Sequence, residues 1–206
     1  MEDRRRHWER LYEDRDPDSV SWYQQNPARS LILIEETSLP ADAPIIDIGG
    51  GASRLVDRLL DLGYSRVTVL DFARAALHHA QERLGVRSRD VRWLDADVLE
   101  HQFEHSYALW HDRAVFHFLT DPAERDRYLA QLEAAVELNG HVILATFGLD
   151  GPESCSGLPV QRHSAESLTD FLGKDFEVVG FQEEAHHTPS GSVQHFLYGR
   201  FRRRSD

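Results

Sequence analysis

Ile45-Ile46-Asp47-Ile48-Gly49-Gly50-Gly51-Ala52-Ser53-Arg54 reads as a buried strand that enters a helix through consecutive glycines. Side chains are missing where a ligand would touch backbone. Glycine reaches positive φ at little cost, and a helix N-terminus offers free N–H groups to whatever lies on it. Such a turn also serves phosphate and dinucleotide binders. The strict dinucleotide pattern, however, needs a third glycine where Arg54 stands, and a side chain there obstructs close packing of helix on strand.

Outward from this turn, short apolar runs alternate with helix-period segments, the rhythm of a largely parallel sheet with crossover helices. Strands are expected at 44–48, 66–70, 91–94, 107–110 and 141–147, and helices at 52–61, 73–84, 122–137 and 164–172. Asp121 and Pro122 supply a cap and first position for the third helix. The last two strands, 176–182 and 193–203, lie too close together for a parallel crossover, so the final strand should return antiparallel. Residues 3–36 read as two helices around the connector Ser21-Trp22-Tyr23-Gln24.

Acids recur at successive strand ends. Asp71 follows Val67-Thr68-Val69-Leu70 about twenty residues beyond the glycines, where a carboxylate can accept both hydroxyls of a ribose. Trp93-Leu94-Asp95-Ala96-Asp97-Val98 brings Asp97, with Asp95 as the alternative. The fourth strand delivers Trp110-His111-Asp112-Arg113.

With its pattern of acid, any residue, Gly, any residue, Gly, any residue and small residue at Asp47 to Ser53, its later acids and its terminal hairpin, the chain resembles the class I S-adenosylmethionine-dependent methyltransferases. The resemblance covers nearly the whole chain. It implies a Rossmann-like α/β fold: a mostly parallel seven-stranded sheet closed by a C-terminal antiparallel hairpin, with helices on both faces. It further implies that S-adenosyl-L-methionine is bound by Asp47, Gly49, Gly50, Gly51, Ser53, Asp71, Phe72, Asp97 and Val98, with Trp22 and Tyr23 in a covering segment. Asp71 would hold the ribose and Asp97 the adenine amino group. The family's fourth motif, beside the transferable methyl, falls on His111 and Asp112, the candidate catalytic residues; the competing role for Asp112 is to cap a short helix, and for His111 to line the pocket.

Ligands of open α/β sheets sit beyond the carboxyl ends of the parallel strands. The 148–163 loop and the 183–192 turn are expected there, which makes Cys155, Arg162, His163, His186 and His187 candidates for substrate contact. Adjacent histidines on an extended segment face opposite ways, so no metal is expected.

Composition limits the partners. A chain of 206 residues with 41% hydrophobic residues suits one domain, with residues 1–43 as a helical cap and 44–206 as a catalytic core. The net charge of -12 disfavours a nucleic-acid substrate, and Arg4-Arg5-Arg6 and Arg202-Arg203-Arg204 read as solvated ends. The single Cys155 excludes an internal disulfide. No apolar run suits a membrane span or secretion signal, so the protein is expected in the cytoplasm. A small-molecule methyltransferase is the leading expectation, ahead of a protein-lysine methyltransferase, a non-catalytic S-adenosylmethionine-binding protein and, further behind, a nicotinamide-dependent oxidoreductase.

Overall fold

A computed structural model describes residues 2–205. In chain order the elements are α1 (Glu2–Asp14), α2 (Ala28–Glu35), β1 (Ile45–Ile48), α3 (Leu55–Asp61), β2 (Val67–Asp71), α4 (Arg74–Leu84), β3 (Val91–Asp95), β4 (Tyr107–Arg113), α5 (Pro122–Ala135), β5 (Val136–Phe147), β6 (Ser154–Cys155), β7 (Leu158–Pro159), α6 (Ala165–Leu172), β8 (Phe176–His187) and β9 (Val193–Arg203). Seven strands form one sheet in the order β3-β2-β1-β4-β5-β9-β8. The first five are parallel, and β9 runs antiparallel between β5 and β8, as the short final connection requires.

Strand alternation divides the core into two layers. Ile45, Val67, Val69, Leu109, Ile143 and Phe147 face α1 to α4. Ile46, Ile48, Trp110, Val142 and Leu144 face Tyr128 and Leu132 of α5 and Leu168 of α6. The same alternation fixes the polar residues of the central strands. Asp47 shares a face with Ile45, and His111 and Arg113 share a face with Leu109, whereas Asp112 goes with Trp110 to the opposite layer.

Several boundaries differ from the sequence expectation. The loop after β1 stays irregular through Arg54, and α3 starts at Leu55. Helix α5 ends at Ala135, and β5 starts at once, at Val136. Strand β4 continues to Arg113, which places His111 and Asp112 within the sheet. Strand β8 extends to His187, so the turn before β9 is shorter than anticipated. The 148–163 loop contains the β6–β7 hairpin, whose turn residues Ser156 and Gly157 have φ of 52° and 80°.

Candidate functional site

At the carboxyl ends of β1, β2 and β4 two cavities adjoin, and Tyr12, Trp22, Ile48, Gly49 and Arg113 line both. They form one cleft across the glycine turn, beside the point where the sheet order reverses between β1 and β4, the usual ligand position in such sheets.

The glycines are required by their neighbours. Gly49 has φ of 62° and sits against Val115 with no room for a Cβ. A Cβ on Gly50 would meet Asp47 Oδ2 at 2.5 Å, and one on Gly51 would meet Asp71 Oδ2 at 2.6 Å. The turn is therefore bare because two carboxylates pack against it. Arg83 secures its far end by donating to the carbonyls of Ala52 and Ser53 at 2.9 and 2.7 Å and by pairing with Asp57 at 2.7 Å.

On one side of Gly49 the cleft is lined by Asp71, Phe72, Asp97 and Val98. Asp71 is 7% exposed and accepts from the Ala73 N–H at 2.8 Å. Burial pushes its carboxyl up to about 7, reinforced by the charges of Asp47 and Glu9 and opposed by backbone hydrogen bonds from Ala73 and Phe72. Asp97 accepts from the Leu99 N–H at 2.9 Å. Asp95 is instead drawn away into ion pairs with Arg5 and Arg74.

Beneath the turn, His111 Nδ1 lies 2.7 Å from Asp47 Oδ1 and His111 Nε2 lies 2.9 Å from Ser30 Oγ, all three buried. With a neutral ring, Nδ1 donates to the carboxylate and Nε2 accepts from the hydroxyl. Asp47, Gly49, Gly50, Ser53, Trp22, Tyr23 and His111 line this part of the cleft, while Gly51 packs below it.

Beyond β4 and β5 lie Arg113, Phe118, Phe147, Cys155 and Phe196. Arg113 donates from Nε to Tyr198 Oη at 2.9 Å and from Nη1 to the Trp22 carbonyl at 3.1 Å, and its guanidinium stands 4.4 Å over the Phe196 ring. Tyr198 in turn donates to Glu184 at 2.9 Å. Burial, with the Glu184 charge, pushes the Tyr198 hydroxyl up to about 12 against the opposing pull of Arg113.

The roof comes from the N-terminal segment. Trp8 meets Trp22 and Phe118 edge to face at 5.3 and 5.2 Å, and Trp22 Nε1 donates to Tyr12 Oη at 3.2 Å. Arg54 fastens the connector to the turn through Tyr23 Oη and Asp18, each at 3.1 Å. Helix α1 is tied across the cleft by Arg4–Glu124 at 3.0 Å on one flank and Arg5–Asp95 on the other.

Some anticipated contacts are absent from the cleft. Asp112 is fully buried in the opposite layer, where it accepts from the Val115 and Phe116 N–H groups and from Tyr128 Oη. It caps the short helix Phe116–Phe118, and the period-two alternation of β4 turns it away from the ligand side. His163 packs on Phe116 at 5.0 Å, and Arg162 binds Glu153 and the Leu149 carbonyl. His186 donates to the Ser21 carbonyl at 2.8 Å, and His187 is exposed on β8. Of that group only Cys155 lines the cleft. Arg113, Tyr198, Phe147, Phe196 and Ser30 were not anticipated. For Arg113 the signal was available, since it stands two residues beyond His111 on the same strand and therefore on the same face.

The methyltransferase-domain family model matches residues 46–142, from β1 into β5. The eEF1A lysine and N-terminal methyltransferase of Danio rerio is 24% identical over 144 residues, which cover 68% of this chain and 21% of that protein. The chain thus spans about a fifth of that relative's length. The N-methyltransferase NodS from Bradyrhizobium japonicum WM9, solved with S-adenosyl-L-homocysteine, superposes with a TM-score of 0.74 at 17% identity, covering 98% of this chain and 99% of NodS. The 1,6-didemethyltoxoflavin-N1-methyltransferase of Burkholderia thailandensis gives a TM-score of 0.71 at 21% identity, covering 95% and 81% of the two chains. The chain is thus similar to the methyltransferase-domain family over the strands that build the cleft, and its sheet has the fold of these S-adenosylmethionine-dependent methyltransferases.

Proposed function

We propose that the protein uses S-adenosyl-L-methionine to methylate a small molecule held beyond β4 and β5. The observation that carries this reading is the roof: α1, the Trp22 connector and the β6–β7 hairpin enclose the second-reactant side of the cleft, which suits a compact acceptor.

The residues present fit the cofactor. Asp71 would accept from the ribose hydroxyls and Asp97 from the adenine amino group, with Phe72 and Val98 against the base. The backbone at Gly49, Gly50 and Gly51 would carry the methionine part, with Asp47, held by His111, supplying negative charge near its ammonium. Ser53 and Tyr23 would border that part, and Trp22 would exclude water above it. Bound there, S-adenosylmethionine supplies a reactive methyl on a sulfonium, which leaves the chain to position, desolvate and orient. His111 then acts by holding Asp47, since both its ring nitrogens are engaged. S-adenosyl-L-homocysteine and a small-molecule product of one added methyl are the expected outputs.

Methylation of a protein lysine is the second reading, favoured by the similarity to the Danio rerio enzyme. Incubation with methyl-labelled cofactor and size-fractionated lysate separates the two. Label in the small-molecule fraction supports the first, and label confined to protein replaces it with the second. The charge of -12 disfavours a nucleic-acid partner, and one cysteine suits the reducing cytoplasm, where we place the protein. Among the described residues no helix is long and apolar enough to cross a membrane.

A further inference from the structure

The part of the cleft beyond β4 and β5 combines one cation with apolar walls. Asp71 and Asp97 belong to the ends of β2 and β3, on the far side of Gly49, so a nucleoside gripped there leaves Arg113, Phe147, Cys155 and Phe196 to the second reactant. The Arg113 side chain is 10% exposed. Its Nε and Nη1 are satisfied, but Nη2 has no hydrogen-bond acceptor and stands 3.8 Å from Glu184. A buried guanidinium N–H without an acceptor is costly even with the Glu184 charge paired to it at 3.8 Å, and a second anion at hydrogen-bond distance would remove that cost.

Among the described residues no free base lines this chamber: His117 is buried behind Phe118 and Phe147, with its Nδ1 accepting from the Phe147 N–H, and does not line it. His111 is committed to Asp47 and Ser30, Asp112 lies in the opposite core layer, and His186 is committed to the Ser21 carbonyl. Glu184 is engaged by Tyr198 and by Gln24 Nε2 at 3.2 Å. An ammonium or an alcohol must lose a proton before or during attack and finds no group here to take it. An acceptor that is already anionic meets the opposite situation, because Arg113 favours its charged form. Aromatic walls tolerate a polarisable sulfur better than a hard carboxylate, whose desolvation costs more.

Resting on the methyltransferase reading above, we propose that the acceptor is an apolar organic thiol, methylated as its thiolate, with Arg113 as the residue that binds and stabilises the sulfur anion. The thiol loses its proton to solvent on entry. Its sulfur then forms the new bond to the methyl carbon as the carbon–sulfonium bond breaks, and that electron pair stays on the sulfur of S-adenosylhomocysteine. The products are a neutral methyl thioether and neutral S-adenosylhomocysteine.

Four acceptors with one body and different heads test this: phenylmethanethiol, benzylamine, benzyl alcohol and phenylacetate, each offered with S-adenosylmethionine and followed by mass spectrometry. Binding of each to the enzyme–S-adenosylhomocysteine complex is measured in parallel by calorimetry. The thiol alone is expected to gain a methyl. Arg113→Gln is expected to weaken its binding on the order of 10- to 100-fold, with S-adenosylhomocysteine affinity kept within about threefold, and Arg113→Lys to recover part of the loss. Preferred methylation of the amine, the alcohol or the carboxylate overturns the proposal. So does an enzyme that binds S-adenosylhomocysteine yet methylates none of the four. Loss of S-adenosylhomocysteine binding in Arg113→Gln would move the arginine to the cofactor and equally refute it. A wild-type protein that fails to bind S-adenosylhomocysteine removes the methyltransferase reading itself, a result distinct from the others.

Discussion

His111 Nδ1 lies 2.7 Å from Asp47 Oδ1, joining adjacent strands β4 and β1 directly beneath the glycine turn, with Ser30 of α2 closing the other side of the ring. The arrangement has the residue types of a catalytic triad, but all three groups are buried and the serine is bonded to the imidazole within the core. Its effect is to fix the carboxylate against Gly50.

His111→Ala should therefore weaken S-adenosylhomocysteine binding and slow turnover in parallel, each by roughly 10- to 100-fold, the range for losing a charge-assisted hydrogen bond. Calorimetry alongside steady-state kinetics decides it. Unchanged affinity with a large fall in kcat would restore the imidazole as a general base.

On the proposed function, Asp71 makes the cofactor site sensitive to pH. Burial pushes its carboxyl up to about 7, and donation from ribose hydroxyls would favour the ionised form. Binding should release a proton near neutral pH, so affinity for S-adenosylhomocysteine should rise with pH through that region. The binding enthalpy should change with the ionisation enthalpy of the buffer. A buffer-independent enthalpy at pH 6.5 would refute the shift.

The same group predicts an inverse effect on stability. Its folded value lies above its unfolded value, so the folded state holds more protons between about 4 and 7. The contribution is complete below the lower value and disappears as pH rises through the upper one. At pH 8, Asp71→Asn should raise the Tm of the cofactor-free protein while abolishing S-adenosylhomocysteine binding. A lower Tm would show that the carboxylate has a net structural role.

Asp112 should behave as a core residue. Asp112→Ala leaves the Val115 and Phe116 N–H groups and Tyr128 Oη without their acceptor, a loss of about 2–4 kcal/mol. Urea denaturation is expected to show that fall, with Tyr128→Phe giving a smaller one. A stable Asp112→Ala variant with impaired catalysis would return Asp112 to the list of catalytic groups.

The strap formed by α1 should govern exchange. Arg4–Glu124 and Arg5–Asp95 are partly exposed pairs, each worth about 0.2–1 kcal/mol. Replacing both arginines by glutamine should speed dissociation of S-adenosylhomocysteine about two- to tenfold, and salt should produce the same acceleration in the wild type. Stopped-flow displacement measures both. Equal rates in high and low salt would mean that the strap does not open by breaking these pairs.

The strands, their parallel run and the glycine turn with acids at the strand ends were legible because they depend on local signals: apolar runs, glycines and acids. The return of β9 followed from connection length alone. Side-chain direction on β4 was harder, since whether His111 and Asp112 lie on the strand or beyond it decides which of them faces the ligand, and strand ends are the least certain part of a pattern. The β6–β7 hairpin carried a readable mark in Ser156-Gly157, a two-residue turn with both φ positive. The surroundings of Arg113 were illegible for another reason. Arg113, Tyr198 and Glu184 come from three strands, and only the antiparallel insertion of β9 brings them together.

That insertion has a consequence for how the molecule is made. Until residues 193–203 join the sheet, β5 and β8 lack the neighbour they share, Phe196 is missing from the far wall and Arg113 lacks its Tyr198 partner. On the proposed function, a nascent chain that has emerged only through β5 already carries the half assigned to the nucleoside, but its reacting chamber gapes to water. Competence for chemistry arrives with the final hairpin, through pairings distant in sequence that form slowly, and an incomplete copy on the ribosome has no dry compartment in which to spend its methyl donor.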